Sequence, residues 1–87
     1  MDTMKLQLNM ISPERKIFSG EVSSAIFPGI AGFFGIQPGH APLVSSLKKG
    51  KIVYAAGGES HELEIERGIV EMYNGAITAC VEQAAKG

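Results

Sequence analysis

Apolar and polar positions alternate along most of this chain. Met4, Leu6, Leu8 and Met10 interleave with Lys5, Gln7 and Asn9, a period of two that turns one face of a strand to a core and the other to water. Pro13-Glu14 ends this run as a turn. Ile17-Phe18 follow, and Ser19-Gly20 reads as a second turn. Val22 to Phe27 forms the next strand, closed by Pro28-Gly29. Ile52 to Ala56 stops at Gly57-Gly58, a two-residue hairpin signal. Beyond it Leu63 and Ile65 alternate with Glu62, Glu64 and Glu66. Ile69 to Tyr73 and Ala76 to Val81 are joined by Asn74-Gly75, a dipeptide that tolerates the positive φ angles of a type I′ turn.

Turn signals thus recur every ~8–12 residues and no segment shows a sustained helical period, the pattern of a β-sandwich or small barrel. The expected fold is all-β: a two-sheet sandwich of about ten short strands, mostly antiparallel, with a core over residues ~4–84. Only the tail, Glu82-Gln83-Ala84-Ala85-Lys86-Gly87, has helical composition, and so short a segment cannot repay helix nucleation alone.

Size and charge narrow the functions. Eighty-seven residues make a single domain, residues 1–87, with room for one modest core. A net charge of −1 supplies no basic field for nucleic acid or anionic lipid. The densest basic group, Lys48, Lys49 and Lys51, reads as a solvated turn. A single cysteine, Cys80, rules out an internal disulfide, and no apolar run reaches the ~18 residues of a membrane span. The N-terminus, Met1-Asp2-Thr3-Met4-Lys5, lacks the basic and apolar regions of a signal peptide.

Candidate chemistry is sparse. Gly29, Gly32 and Gly35 are spaced unlike a dinucleotide fingerprint, and Gly50-Lys51 is followed by Ile52 instead of Ser or Thr; all read as backbone glycines at turns. His40 and His61 are far apart, and neither they nor Cys80 forms a metal-ligand cluster. No serine sits in a nucleophile turn. Cys80 lies in an alternating strand, where a small buried thiol is the expectation. Glu62, Glu64 and Glu66 share one strand face, which as a solvated face would leave all three ionised. No catalytic residue, cofactor site or metal site is expected.

One segment is more particular. Pro28-Gly29-Ile30-Ala31-Gly32-Phe33-Phe34-Gly35-Ile36-Gln37-Pro38-Gly39-His40-Ala41-Pro42-Leu43 resembles the signature of the epsilon subunit of F-type ATP synthases: a Pro/Gly turn, a glycine step, then Pro-Gly-His-Ala-Pro. Ser12-Pro13-Glu14-Arg15-Lys16-Ile17-Phe18-Ser19-Gly20 is similar to that family's first hairpin, and Gly68-Ile69-Val70-Glu71-Met72-Tyr73-Asn74-Gly75 to a later one. The three motifs stand in the family's order. Phe33 departs from it, standing where most members carry an acidic residue, and the chain stops at Gly87, before the family's two-helix hairpin.

The resemblance implies a non-catalytic rotor subunit of the central stalk, whose partners are the gamma subunit and the c-ring. It would couple proton or sodium flow to ATP synthesis on the cytoplasmic face of a bacterial inner membrane, without helical autoinhibition. The gamma-facing patch would include Ser12, His40, Pro42, Leu43 and Ser45, and the c-ring-facing loop Gly29, Ile30, Ala31, Gly32 and Phe33. Pro38 and Pro42 stiffen the corner that carries His40; its ring would either hydrogen-bond its own turn or face a partner. The alternatives are a stand-alone sandwich that binds a ligand or peptide at a sheet edge, and a small metal enzyme, against which the absence of a His-x-His pair counts. The oligomeric state of the isolated chain is left open: surfaces that partners would cover could also drive self-association.

Overall fold

The computed structural model describes residues 5–84. Eight strands are formed: β1 (Leu6–Ile11), β2 (Lys16–Val22), β3 (Ser24–Gly29), β4 (Gly32–Ile36), β5 (Leu43–Leu47), β6 (Gly50–Ala56), β7 (Glu59–Tyr73) and β8 (Ala76–Gln83). No helix occurs among the described residues. Met4, predicted to open the first strand, and Ala85 to Gly87 of the tail lie outside them; Glu82 and Gln83 close β8 as strand.

The strands fold into two layers that share β7. Its second half runs antiparallel to β8 and β5, and β8 runs parallel to β1, which pairs with β2. Its first half pairs with β6, which pairs with β3, and β3 with β4. β7 changes layers at a register shift between Ile65 and Arg67, where Glu66 is the extra residue; a bulge of this kind bends a strand and raises its twist. One strand of 15 residues thereby serves both layers, which is why eight strands do the work of the ten or so expected. The pairing of β3 Gly29 with β5 Leu47 joins the layers again at one end.

The inward faces are the alternating apolar positions. Leu6, Leu8 and Met10 of β1, Val70 and Met72 of β7, and Ile77, Ala79 and Val81 of β8 meet Ala25, Phe27, Ile36, Ile52 and Ile65 across the core. Phe27 stacks on Phe34 with centroids 5.8 Å apart. At the other end of the core Tyr54 lies between Phe18, 4.7 Å away, and His61, 5.3 Å away. The three rings bridge β2, β6 and β7 and shut that end. No buried side-chain nitrogen or oxygen lacks a partner among the described residues.

The two turns predicted at Asn74-Gly75 and Gly57-Gly58 form as their glycines imply. Asn74 and Gly75 adopt φ 52° and 81°, and Gly57 and Gly58 φ 62° and 80°, the left-handed pairs of a type I′ hairpin. Two other expectations are corrected. Ser19-Gly20 is no turn but part of β2, paired with Asn9 and Leu8. Gly35 likewise lies inside β4, opposite Ile26. The close approach of a strand explains a further glycine: a Cβ on Gly68 would lie 2.8 Å from the Cys80 carbonyl oxygen.

Candidate interaction surface

The predicted residues divide between two corners. Ser12 closes the β1–β2 turn. Its hydroxyl accepts from the Arg15 N–H at 3.2 Å and donates to the Arg15 carbonyl at 3.3 Å, while the Arg15 guanidinium donates to Gln83 Oε1 at 3.0 Å. His40 stands at the other corner, in a bend held by its N–H to the Gln37 carbonyl at 3.0 Å and opened by Gly39 at φ 89°. Its exposed ring donates from Nδ1 to the Ala41 carbonyl at 2.7 Å, so the imidazole is braced on its own turn. Pro42 is exposed, and half-buried Leu43 packs on the core.

Strand register puts the two corners at opposite ends of the layer β2-β1-β8-β7-β5, roughly 20 Å apart by strand rise and spacing. Between them lies a surface that the sequence reading did not single out. Ile11 pairs with Cys80, Cys80 with Ile69, and Ile69 with Ser46; all face away from the core. In the next outward-facing row Val44 stands opposite Glu71, and Glu71 opposite Thr78. Val44 and Tyr73 are 71% and 69% exposed, and Ile69 and Ile11 are also open to solvent. Four of the seven large exposed apolar side chains among the described residues therefore share one sheet face. The legible signal was in β7, where Ile69, Val70, Met72 and Tyr73 leave both faces apolar, as expected of a strand covered on two sides.

One expectation about side-chain direction changes here. Cys80 is exposed, not buried: in β8 the core takes Ile77, Ala79 and Val81, and a period of two sends Thr78 and Cys80 outward. Ser45 is only half-exposed and pairs with core-facing Val70, so its neighbours Val44 and Ser46 carry the outer surface of β5. Its hydroxyl donates to the Ser46 carbonyl at 3.2 Å.

The second predicted surface is the β3–β4 hairpin. Gly29 is buried, and a Cβ there would meet the Gly32 carbonyl oxygen and the Phe34 ring, both at 2.8 Å. Gly32, at φ 134°, completes the turn. Ile30 and Phe33 are thereby held out at 64% and 66% exposure. The Ile30 N–H donates to the Ser46 carbonyl at 3.1 Å, which ties the hairpin tip to the end of the row Ser46, Ile69, Cys80 and Ile11. The two surfaces are contiguous.

The chemistry of a small-ligand site is missing from the groove beside the β1–β2 turn. It has about 380 Å³ and is lined by Ile11, Ser12, Pro13, Arg67, Cys80 and Glu82 among others. That volume suits a ligand, but its two charges face each other, Arg67 Nε lying 3.6 Å from Glu82 Oε1. No group of His, Cys, Asp or Glu able to hold a metal ion occurs among the described residues. The glutamates of β7 stay outside, with Glu62 paired to Lys51 at 3.3 Å. No helix of the described residues is long and apolar enough to cross a membrane.

Comparison with known proteins places this arrangement. The ATP synthase epsilon chain of Leptospira interrogans is 41% identical over 85 residues, 98% of this chain and 67% of the relative. That of Citrifermentans bemidjiense is 39% identical over 82 residues, 94% of this chain and 59% of the relative. The chain thus spans about three-fifths to two-thirds of the length of these relatives. Among solved structures, a chain of the Euglena gracilis mitochondrial ATP synthase, in an OSCP/F1/c-ring assembly, superposes with a TM-score of 0.86 at 19% identity. It is matched over 94% of this chain and 53% of its own length. A chain of the Tetrahymena thermophila central stalk/c-ring gives 0.77 at 12% identity, over 95% and 67%; at such identities the likeness is one of fold. The model of the "ATP synthase, Delta/Epsilon chain, beta-sandwich domain" family matches residues 5–87, and this chain belongs to that family.

Proposed function

We propose that this chain is a non-catalytic rotor subunit of an ATP synthase central stalk, linking the gamma subunit to the c-ring so that ion flow drives ATP synthesis. The observation that carries the reading is the contiguity of two exposed apolar surfaces on one rigid sandwich. The outer face of β5, β7, β8 and β1, flanked by the Ser12 and His40 corners, suits gamma. The Ile30–Phe33 tip beside it suits the ring. A stalk link needs two partner surfaces held in fixed relation, and a close-packed core transmits strain between them instead of yielding. The naming of the relatives as ATP synthase epsilon chains supports the same assignment.

His40 supports its surface in two ways. Its Nδ1 hydrogen bond stiffens the corner, and its exposed ring offers Nε2 to a partner. Glu71, exposed in the middle of the apolar face, favours a partner that presents a cation there. A ligand-binding module is the weaker reading, because the groove near Ser12 holds no unpaired polar anchor.

The test is reconstitution. Membrane vesicles carrying ATP synthase stripped of its epsilon subunit are assayed for ATP-driven ion pumping before and after adding this chain, with gamma and c-ring from the same source. Restored pumping, with no ATP hydrolysis by the chain alone, is the expected result. Unchanged pumping, with no chain retained on the vesicles, would refute the assignment.

A further inference from the structure

We propose that β4 is a self-complementary edge through which two free copies of this chain pair as a symmetric dimer. β4 is hydrogen-bonded to β3 and to no other described strand. Its sequence, Gly-Phe-Phe-Gly-Ile, carries no charge, and its ladder with β3 runs without a bulge. Charges, prolines and bulges are what keep natural edges from pairing. β2, at the other end of the strand order, has such guards: Lys16, Glu21 and a register irregularity near Ile11.

The backbone groups open to a partner follow from the register. A two-residue loop, Ile30-Ala31, makes Gly29 and Gly32 a hydrogen-bonded pair, and alternation then makes Phe27 with Phe34 another. Phe33, opposite Pro28, and Gly35, opposite Ile26, occupy the intervening pairs, so their N–H and C=O groups point away from β3. The Pro28 carbonyl obeys the same alternation, accepting from the Lys48 N–H at 2.9 Å on the side away from β4.

The side chains fit a two-fold axis through Phe34. Phe33 and Gly35 lie on the same outer face of β4, one a ring that is 66% exposed, the other a gap. A Cβ on Gly35 would meet only the Ala25 carbonyl oxygen at 3.8 Å and Ile26 Cγ1 at 3.9 Å, so the gap is a shallow hollow floored by exposed Ile26. Antiparallel pairing about Phe34 sets Phe33 of each copy directly opposite Gly35 of the other. Each ring then covers the opposing hollow, an aromatic over an edge glycine. The same register makes Phe33 and Gly35 hydrogen-bonded partners, each pair exchanging both N–H···O bonds. Backbone and side chains thus select one register, and the contact is isologous and closes on itself.

Phe33 is also the residue that the proposed ring-facing tip presents, so the dimer and ring docking exclude one another. The dimer is a form of the unassembled subunit that hides its apolar edge.

Sedimentation velocity of the whole chain over a concentration series, for wild type, Phe33→Ala and Gly35→Val, tests this. Neither variant touches the core, and Gly35 is not among the positive-φ glycines, so valine is tolerated there. Wild type is expected to show a reversible monomer–dimer equilibrium, weakened at least tenfold by each variant at unchanged Tm. Amide exchange at Phe33 and Gly35 should slow as wild-type concentration rises, with Phe34 indifferent. A wild-type chain that stays monomeric at about 1 mM, a range where even weak pairing shows, would overturn the proposal. So would a dimer that ignores both substitutions, or concentration-independent exchange at Phe33 and Gly35.

Discussion

Ile69 and Cys80 stand opposite each other in the β7–β8 ladder, and both side chains point away from the core. With Ile11 beyond Cys80 they form an apolar row across the outer sheet, and the thiol sits in its middle. Cys80 is therefore accessible in the free chain and covered wherever a partner covers this face. Ellman's reagent should titrate one thiol per folded chain without denaturant. Excess gamma subunit should slow that reaction at least tenfold. A thiol silent until unfolding would contradict the outward direction of Cys80.

Gly68 and Gly35 should respond oppositely to added side chains. A Cβ on Gly68 would lie 2.8 Å from both the Cys80 carbonyl oxygen and Val81 Cγ1, and the backbone there cannot move without opening the β7–β8 ladder. Gly68→Ala should cost about 1–3 kcal/mol, the usual range for overpacking. Gly35→Val should cost less than about 0.5 kcal/mol. Urea unfolding of the two variants checks the contrast.

Tyr54 links stability to alkaline pH. Burial raises its pKa above the ordinary value of 10.0, because the phenolate would lose solvation between Phe18 and His61. The unfolded chain then releases this proton at lower pH than the folded one. Stability is unaffected by Tyr54 below pH ~10 and falls as pH rises through that value toward the folded pKa. Urea melts between pH 8 and pH 10.5 should show the decline, and Tyr54→Phe should reduce its slope while leaving stability at pH 8 nearly unchanged.

What could be read from the residues was whatever periodicity and turn chemistry write locally. β1 is a run of strict alternation, and the Asn74-Gly75 and Gly57-Gly58 turns need left-handed backbone that few other residues supply. β4 and β5 escaped because nothing local marks them. Gly35 inside a strand resembles a turn glycine, and its place is set by pairing with Ile26 of β3. Ser45-Ser46 resembles a loop, and is strand because β7 pairs with it. The direction of Cys80 is written in the residues too: once Ile77, Ala79 and Val81 are taken as the inward set, the thiol must face out. The apolar outer face was beyond local reading, since Ile11, Val44, Ile69 and Tyr73 come together only through the order β1-β8-β7-β5. The family signature, by contrast, was legible in the Pro-Gly-His-Ala-Pro corner.

The most direct test of the proposed role is titration calorimetry of this chain against purified gamma subunit of the same source, with Val44→Asp alongside. The Val44 side chain is open to solvent and points away from the core, so the variant should fold with stability within about 0.5 kcal/mol of wild type. The account predicts one-to-one binding that Val44→Asp weakens at least tenfold, or about 1.4 kcal/mol. No heat of binding with gamma, or equal affinity for wild type and variant, would contradict the claim that the outer face of β5, β7, β8 and β1 grips the stalk.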